Sequence, residues 1–287
     1  MVTFTKLFAV LPARCRLGVL LPLWMILTGL SNAAAAENPD GRNLDVGRGS
    51  ECVVALHGLA RSAASMKKLV TELEQAGYSV ANIDYPSRKF TISELAHSAV
   101  ATGLDSCEQH GAEVVHFVSH SMGGILIRQY LETQSIEHLG RVVMLAPPNQ
   151  GSEVVDALRD TPGFELLNGP AGLQLGTDAG SIPSTLGPAT FDLGVVAGTR
   201  SINLLLSTYL PDPDDGKVSV ASARLQGMCD FLAVGVSHPF IMRDDDVIEQ
   251  VIHYLSNGQF SRDSDSAVES EENSSALPRH CSAAGKI

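Results

Sequence analysis

The sequence predicts an α/β fold: a mostly parallel sheet with helices on both faces and a small cap insertion. Three observations lead there. Short strand-like runs alternate with stretches of helical apolar spacing, the pattern of repeated βαβ units. Hydrophobic residues make up 44% of the 287 residues and charged residues 18%, which is enough apolar material for a sizeable core. The alternation breaks at Gly151 and resumes at Gly194, which marks residues 152–190 as an insertion.

In chain order, Cys52–Leu56 (CVVAL) is a β-branched run and Ser65–Ala76 has helical spacing. Ser79–Ile83 (SVANI) follows as a strand and Ile92–Cys107 as a helix. Glu113–Val118 (EVVHFV) reads as a buried strand, Met122–Thr133 as a helix and Arg141–Leu145 (RVVML) as the next strand. Beyond the insertion, GVVAG at 194–198 and FLAVGV at 231–236 are strands, and a last helix spans about 244–256. From Asn257 the chain is rich in Ser, Glu and Asp, with Phe260 as its one aromatic residue. The reading is a domain over 37–256 and a flexible polar tail over 257–287.

Residues 1–36 have the three-part layout of a secretory signal peptide. Lys6, Arg14 and Arg16 precede an apolar run, Leu17–Leu30, and an A-x-A site stands before Glu37. The run is short of the roughly 20 residues that span a bilayer comfortably. The expectation is therefore a secreted or periplasmic protein, with an uncleaved N-terminal anchor as the alternative. Cleavage removes Cys15 and leaves Cys52, Cys107, Cys229 and Cys281, an even set that permits disulfides outside the cytoplasm. Cys52 opens a strand and Cys107 closes an antiparallel helix, so both fall at one edge of a parallel sheet and can pair. Cys229–Cys281 follows by elimination. No C-x-x-C spacing exists to suggest a metal, and a net charge of −12 without a basic stripe argues against nucleic acid.

The stretch 114–131, VVHFVSHSMGGILIRQYL, carries the chemistry. A β-branched run ends, Ser121 follows, and a helical pattern begins. This strand–serine–helix turn is a nucleophile elbow, which needs small residues two before and two after the serine. They are Ser119, where Gly is customary, and Gly123. His120, adjacent to the serine, should point away from it and serve the structure. Leu56-His57-Gly58-Leu59-Ala60 leaves the first strand and offers an oxyanion donor at the N–H of Leu59; the N–H of Met122 is the other. His57 is read as a brace for that loop.

A serine nucleophile needs a base and the base an orienting carboxylate, here in the order Ser, Asp, His. His238 ends a late strand in Ser237-His238-Pro239 and is the candidate base. Asp215, ahead of Gly216, is the candidate acid; Asp214 is the runner-up, with Asp192 and Asp230 weaker. The acidic cluster lacks the alternate spacing of an EF-hand calcium loop.

The segments VVALHGLARS, HFVSHSMGGI, LAPPNQGS, DDGKVSV and VSHPFI resemble the α/β-hydrolase superfamily, and within it the bacterial lipase-like and PGAP-like serine esterases. The resemblance covers about residues 51–256. It implies the α/β-hydrolase fold, Ser121, Asp215 and His238 as the catalytic set, and no metal or organic cofactor. It further implies a cap after Pro148–Ser152, for which Leu166, Leu167, Leu173, Leu175 and Leu186 are candidates to line an acyl pocket. The function expected is hydrolysis of a small-molecule or lipid ester, with a lipid surface as a transient contact. An acyltransferase or thioesterase on the same triad, and a non-catalytic binding module on this fold, are the alternatives.

Overall fold

The computed structural model describes residues 50–262 and 278–281. The expected signal segment lies outside them. No described helix is long and apolar enough to cross a membrane.

Six strands form one parallel sheet: β1 (Glu51–Leu56), β2 (Ser79–Ile83), β3 (Val114–His120), β4 (Leu139–Leu145), β5 (Leu193–Gly198) and β6 (Asp230–Val234). Their order is β2-β1-β3-β4-β5-β6. The chain winds from β1 outward to β2, then crosses back to β3 and continues the other way. The switch lies between β1 and β3, where connections diverge above the carboxyl ends and leave a crevice. The elements anticipated from alternation are all present in the expected sequence order.

Alternation along each strand sends side chains to two separate cores. Val54, Leu56 and Phe117 pack with Leu95 and Ala99 of α2 (Ile92–Gln109) and Ile125 of α3 (Met122–Thr133). On the opposite face Val53, Ala55 and Val118 meet Leu69 and Leu73 of α1 (Lys67–Gln75), and Val251 and Leu255 of the last helix. Local signals set the helix ends. Thr91 and Glu94 form a reciprocal capping box at the start of α2.

Residues between β4 and β5 carry short helices α4 (Glu153–Leu158), α5 (Phe164–Leu173) and α6 (Ile182–Thr185). After β5 come α7 (Leu204–Ser207) and α8 (Val220–Ala223), and after β6 the last helix α9 (Asp245–Asn257), which Asp244 caps at the Val247 N–H. The insertion is fastened by Arg128, a cation inside the apolar run of α3 that sequence reading passed over. Only 4% exposed, it donates to the carbonyls of Asn149 (2.8 Å), Leu186 (3.0 Å) and Gly187 (3.2 Å). Burial pushes its pKa down to about 10, so it remains charged at neutral pH.

Described residues beyond Asn257 attach to the domain. Phe260 is buried against Tyr254, ring centroids 4.8 Å apart, and Arg262 pairs with Asp230. Further on, Cys281 is bonded to Cys229. Residues 263–277 and 282–287 of the expected tail lie outside the described residues.

Both anticipated disulfides are formed. Cys52–Cys107 and Cys229–Cys281 join residues 55 and 52 positions apart. Loops of this size restrict the unfolded chain strongly, and removing one such link costs about 2–4 kcal/mol. A Cys229→Ala, Cys281→Ala variant is expected to unfold at lower urea by that margin. Peptide mapping of the native protein should show none of the four cysteines alkylated before reduction.

Candidate active site

Ser121 sits between the end of β3 and the start of α3 with φ 54° and ψ −124°. Few residues other than glycine adopt a positive φ, and its cost of about 1–3 kcal/mol must be carried by surrounding structure. The Ser121 N–H donates to the Leu145 carbonyl at 2.8 Å, and its own carbonyl accepts from Gly124 at 3.0 Å. A tight approach beneath the turn makes Gly123 obligatory. A Cβ there would stand 2.7 Å from the Leu56 carbonyl oxygen and 3.0 Å from that of His57. Ser119 is fully buried.

His238 reaches this serine from the loop that follows β6, the strand at one edge of the sheet. Its Nε2 is 3.0 Å from Ser121 Oγ, and its Nδ1 is 2.8 Å from Asp215 Oδ2. The other oxygen, Asp215 Oδ1, accepts the N–H groups of Lys217 (3.0 Å) and Val218 (2.8 Å). Those two bonds fix the carboxylate's rotation, so Oδ2 is aimed at the imidazole. Asp215 is 1% exposed. The His238 N–H also donates to the Asp215 carbonyl at 3.1 Å, tying the two loops through the backbone.

The runner-up acids are engaged elsewhere. Asp214 Oδ1 accepts from Gly216 N–H and Ser207 Oγ. Asp192 accepts from Tyr254, its pKa raised by burial, and Asp230 holds Phe260 and Arg262. Both oxygens of Asp215 and the Oδ1 of Asp214 therefore have partners within the fold. Among the described residues, Cys229, His280 and Cys281 bring metal-ligating atoms within 4.8 Å. The two sulfurs are bonded to each other, however, and His280 donates to the Gly227 carbonyl.

The loop after β1 lies directly against the serine. A Cβ on Gly58 would be 3.1 Å from Ser121 Cβ and 2.9 Å from His120 Nδ1. Arg61 N–H closes the turn onto the Gly58 carbonyl at 3.2 Å, with Ala60 at φ 55° and its N–H donated to Ser87 Oγ. Leu59 is half-buried within this turn, and Met122 opens α3, where first-turn N–H groups lack intrahelical partners. The leucines expected to line a pocket divide. Leu175 is buried in the core, Leu173 and Leu186 are half-buried, and Leu166 and Leu167 are exposed at 84% and 64%. The last two point to solvent because α5 is kinked at Gly169-Pro170 and only its far end packs inward.

Two neutral histidines brace the site. His57 is fully buried and stacked on Tyr85 at 4.0 Å; its Nδ1–H donates to Gly58 O and its Nε2 accepts from Tyr85 N–H. Burial lowers its pKa, an effect its backbone bonds offset only in part. His120 Nε2–H donates to the His238 carbonyl at 3.1 Å. Burial first, then the nearby His238, hold its pKa well below 6.5. The residue before the nucleophile, expected to serve the structure, thus anchors the loop of the candidate base; the sequence gave no sign of that particular partner.

Neutral buried histidines make the fold acid-sensitive. The unfolded chain protonates them near pH 6.5, while the fold holds them neutral to lower pH. Below 6.5 the unfolded state binds more protons, so stability falls as pH drops, by up to about 1.4 kcal/mol per pH unit for each histidine. The raised carboxyl of Asp192 acts in the opposite sense at lower pH. Urea midpoints are expected to be clearly lower at pH 5.5 than at pH 7.5, and equal midpoints would rule this account out.

Residues 53–269 match a family model described as the Alpha/beta hydrolase family. A search of curated proteins returns no significant match. Solved structures of similar fold include the mature lipase BlEst2 of Bacillus licheniformis, at TM-score 0.59 and 20% identity over 71% of this chain and 91% of that one. The phospholipase PlaB of Legionella pneumophila aligns at TM-score 0.58 and 16% identity, over 73% of this chain and 60% of its own. A metagenomic carboxyl esterase aligns at TM-score 0.53 and 16% identity, over 72% and 71%.

Proposed function

Because the chain belongs to the alpha/beta hydrolase family, we propose that it is an exported serine hydrolase cleaving carboxylic esters through an acyl-enzyme on Ser121. The observation that carries this reading is the unbroken relay from a serine at positive φ through His238 to a buried carboxylate. The lipase, phospholipase and carboxyl esterase folds among its structural neighbours support an ester as the bond attacked. Two disulfides support an oxidising compartment outside the cytoplasm.

In the proposed cycle, Ser121 Oγ attacks the ester carbonyl carbon while its proton passes to His238 Nε2. Asp215 stabilises the imidazolium at Nδ1. The carbonyl oxygen becomes an oxyanion, held by the N–H groups of Met122 and Leu59; one such donor is worth about 2.7–4 kcal/mol in a comparable hole. Collapse expels the alcohol, which takes the proton from His238. Water, deprotonated by the same ring, then attacks the acyl-enzyme and regenerates Ser121 with release of the acid.

The test is hydrolysis of p-nitrophenyl esters across acyl lengths, combined with a fluorophosphonate label. Turnover is expected together with one covalent adduct, which peptide mass spectrometry locates on Ser121. Turnover with the label on another residue would overturn the mechanism. Activity on no ester would overturn the function.

A further inference from the structure

On the loop after β1 the structure has an open surface hollow of about 410 Å³, lined by Ala60, Arg61, Ser62, Ala64, Ser65 and Arg243. It shares Ala64 and Arg243 with a second hollow of about 370 Å³ that runs past Lys67, Lys68 and Glu72, so the two form one groove. The first cavity has no acidic residue in its wall.

Neither Arg61 nor Arg243 has a carboxylate within ion-pair distance among the described residues, and both are exposed. Of the acids that follow Arg243 in sequence, Asp244 and Asp245 have partners elsewhere, and none of Asp244, Asp245 and Asp246 lines the hollow. Asp245 pairs with Lys68 at 2.6 Å, and Asp84 accepts the Ala63 N–H at 2.9 Å. Glu72 stands in the second hollow only. Ser62 adds a hydroxyl that makes no capping bond to the helix it precedes.

The two walls of the cavity are also the two loops that frame the reaction centre. Arg61 closes the turn containing Leu59, whose Gly58 abuts Ser121. Arg243 ends the 3-10 turn Ile241–Arg243, five residues after His238.

We propose that this cavity binds a phosphate-type anion between Arg61 and Arg243, and that on the hydrolase reading the anion is the phosphate group of the ester substrate. Two guanidinium forks and a hydroxyl suit a phosphate, whose oxygens accept several charge-assisted bonds. The ligand is then an acyl ester with a phosphate-bearing alcohol, its carbonyl at Ser121 and its phosphate in the cavity. The inference deepens the proposed function and relies on it only for the source of the phosphate.

Two measurements on the full chain separate these points. Calorimetry with inorganic phosphate at low ionic strength is expected to show binding by wild type. Binding should be about ten- to a hundred-fold weaker in Arg243→Gln, the loss of a charged hydrogen bond, and intermediate in Arg243→Lys. Binding unchanged by Arg243→Gln, or absent from wild type, overturns the site. The second measurement compares kcat/KM for lysophosphatidylglycerol and for a monoacylglycerol of the same chain, both as monomers. Arg243→Gln should lower the first about ten- to a hundred-fold, through KM, and leave the second within about twofold. Arg243-dependent phosphate binding with no preference for the phosphate-bearing ester would mean that free phosphate is the ligand, and would overturn the substrate assignment. Failure to hydrolyse any ester, p-nitrophenyl butyrate included, would remove the enzymatic reading, and calorimetry would still decide the site.

Discussion

Asp215→Asn is expected to lower kcat for ester hydrolysis about 10⁴-fold, with the fold intact. The geometry explains why so small a change has so large an effect. Lys217 and Val218 N–H groups require an acceptor at the Oδ1 position. An asparagine must turn its carbonyl oxygen there, which directs its NH₂ group at His238 Nδ1. Nδ1 then has to accept, the proton moves to Nε2, and Nε2 faces Ser121 with a hydrogen instead of a lone pair. The ring can no longer receive the serine's proton. Ser121→Ala should cost as much or more, and the double variant little beyond the worse single one, because the groups act as a unit. Additive losses, or an Asp215→Asn enzyme within tenfold of wild type, would sink the relay. Urea unfolding should show the single variants close to wild type, which separates chemistry from folding.

Gly123→Ala is the second large effect, and here stability and activity fall together. The added methyl would meet two backbone carbonyl oxygens, at 2.7 Å and 3.0 Å. Backbone cannot rotate away as the end of a side chain can, so α3 has to lift from the loop after β1. Overpacking of this kind costs about 1–3 kcal/mol. The same movement displaces the Met122 N–H and Ser121 Oγ from their partners, and a shift near 1 Å can cost about 10²-fold in rate. The expected result is a lowered urea midpoint with kcat reduced about a hundred-fold in the remaining folded protein, and slower fluorophosphonate labelling. Ser119→Gly, which restores the customary residue at the other small position, should leave kcat near wild type. Ser119 Oγ is buried without a hydrogen-bond partner among the described residues, so losing it removes no bond seen to hold the turn.

Much of this was legible in the chain alone. The parallel sheet came from alternation, because helix and strand periods are local properties written into which residues are apolar. Ser121 was legible because an elbow needs small residues at fixed offsets, and a steric demand within five residues leaves a sequence trace. His238 and Asp215 were nominated by chain order and turn chemistry. The Cys52–Cys107 bond followed from where a strand begins and a helix ends, and Cys229–Cys281 by elimination.

Other features depend on groups remote in sequence, and only the tertiary structure decided them. Asp214 and Asp215 are neighbours of the same type, and what distinguishes them is which one has its free oxygen turned to His238 by the N–H groups of Lys217 and Val218. The bond from His120 to the His238 carbonyl spans 118 positions, and Arg128 holds carbonyls up to 59 positions away. Arg61 and Arg243 face one cavity from opposite ends of the domain's sequence. The sequence determined which local conformations the backbone takes, since these answer to sterics and periodicity over a few residues. Which side chains meet above the sheet was decided by the fold, since a hydrogen bond requires a distance and a direction that no one-dimensional pattern encodes.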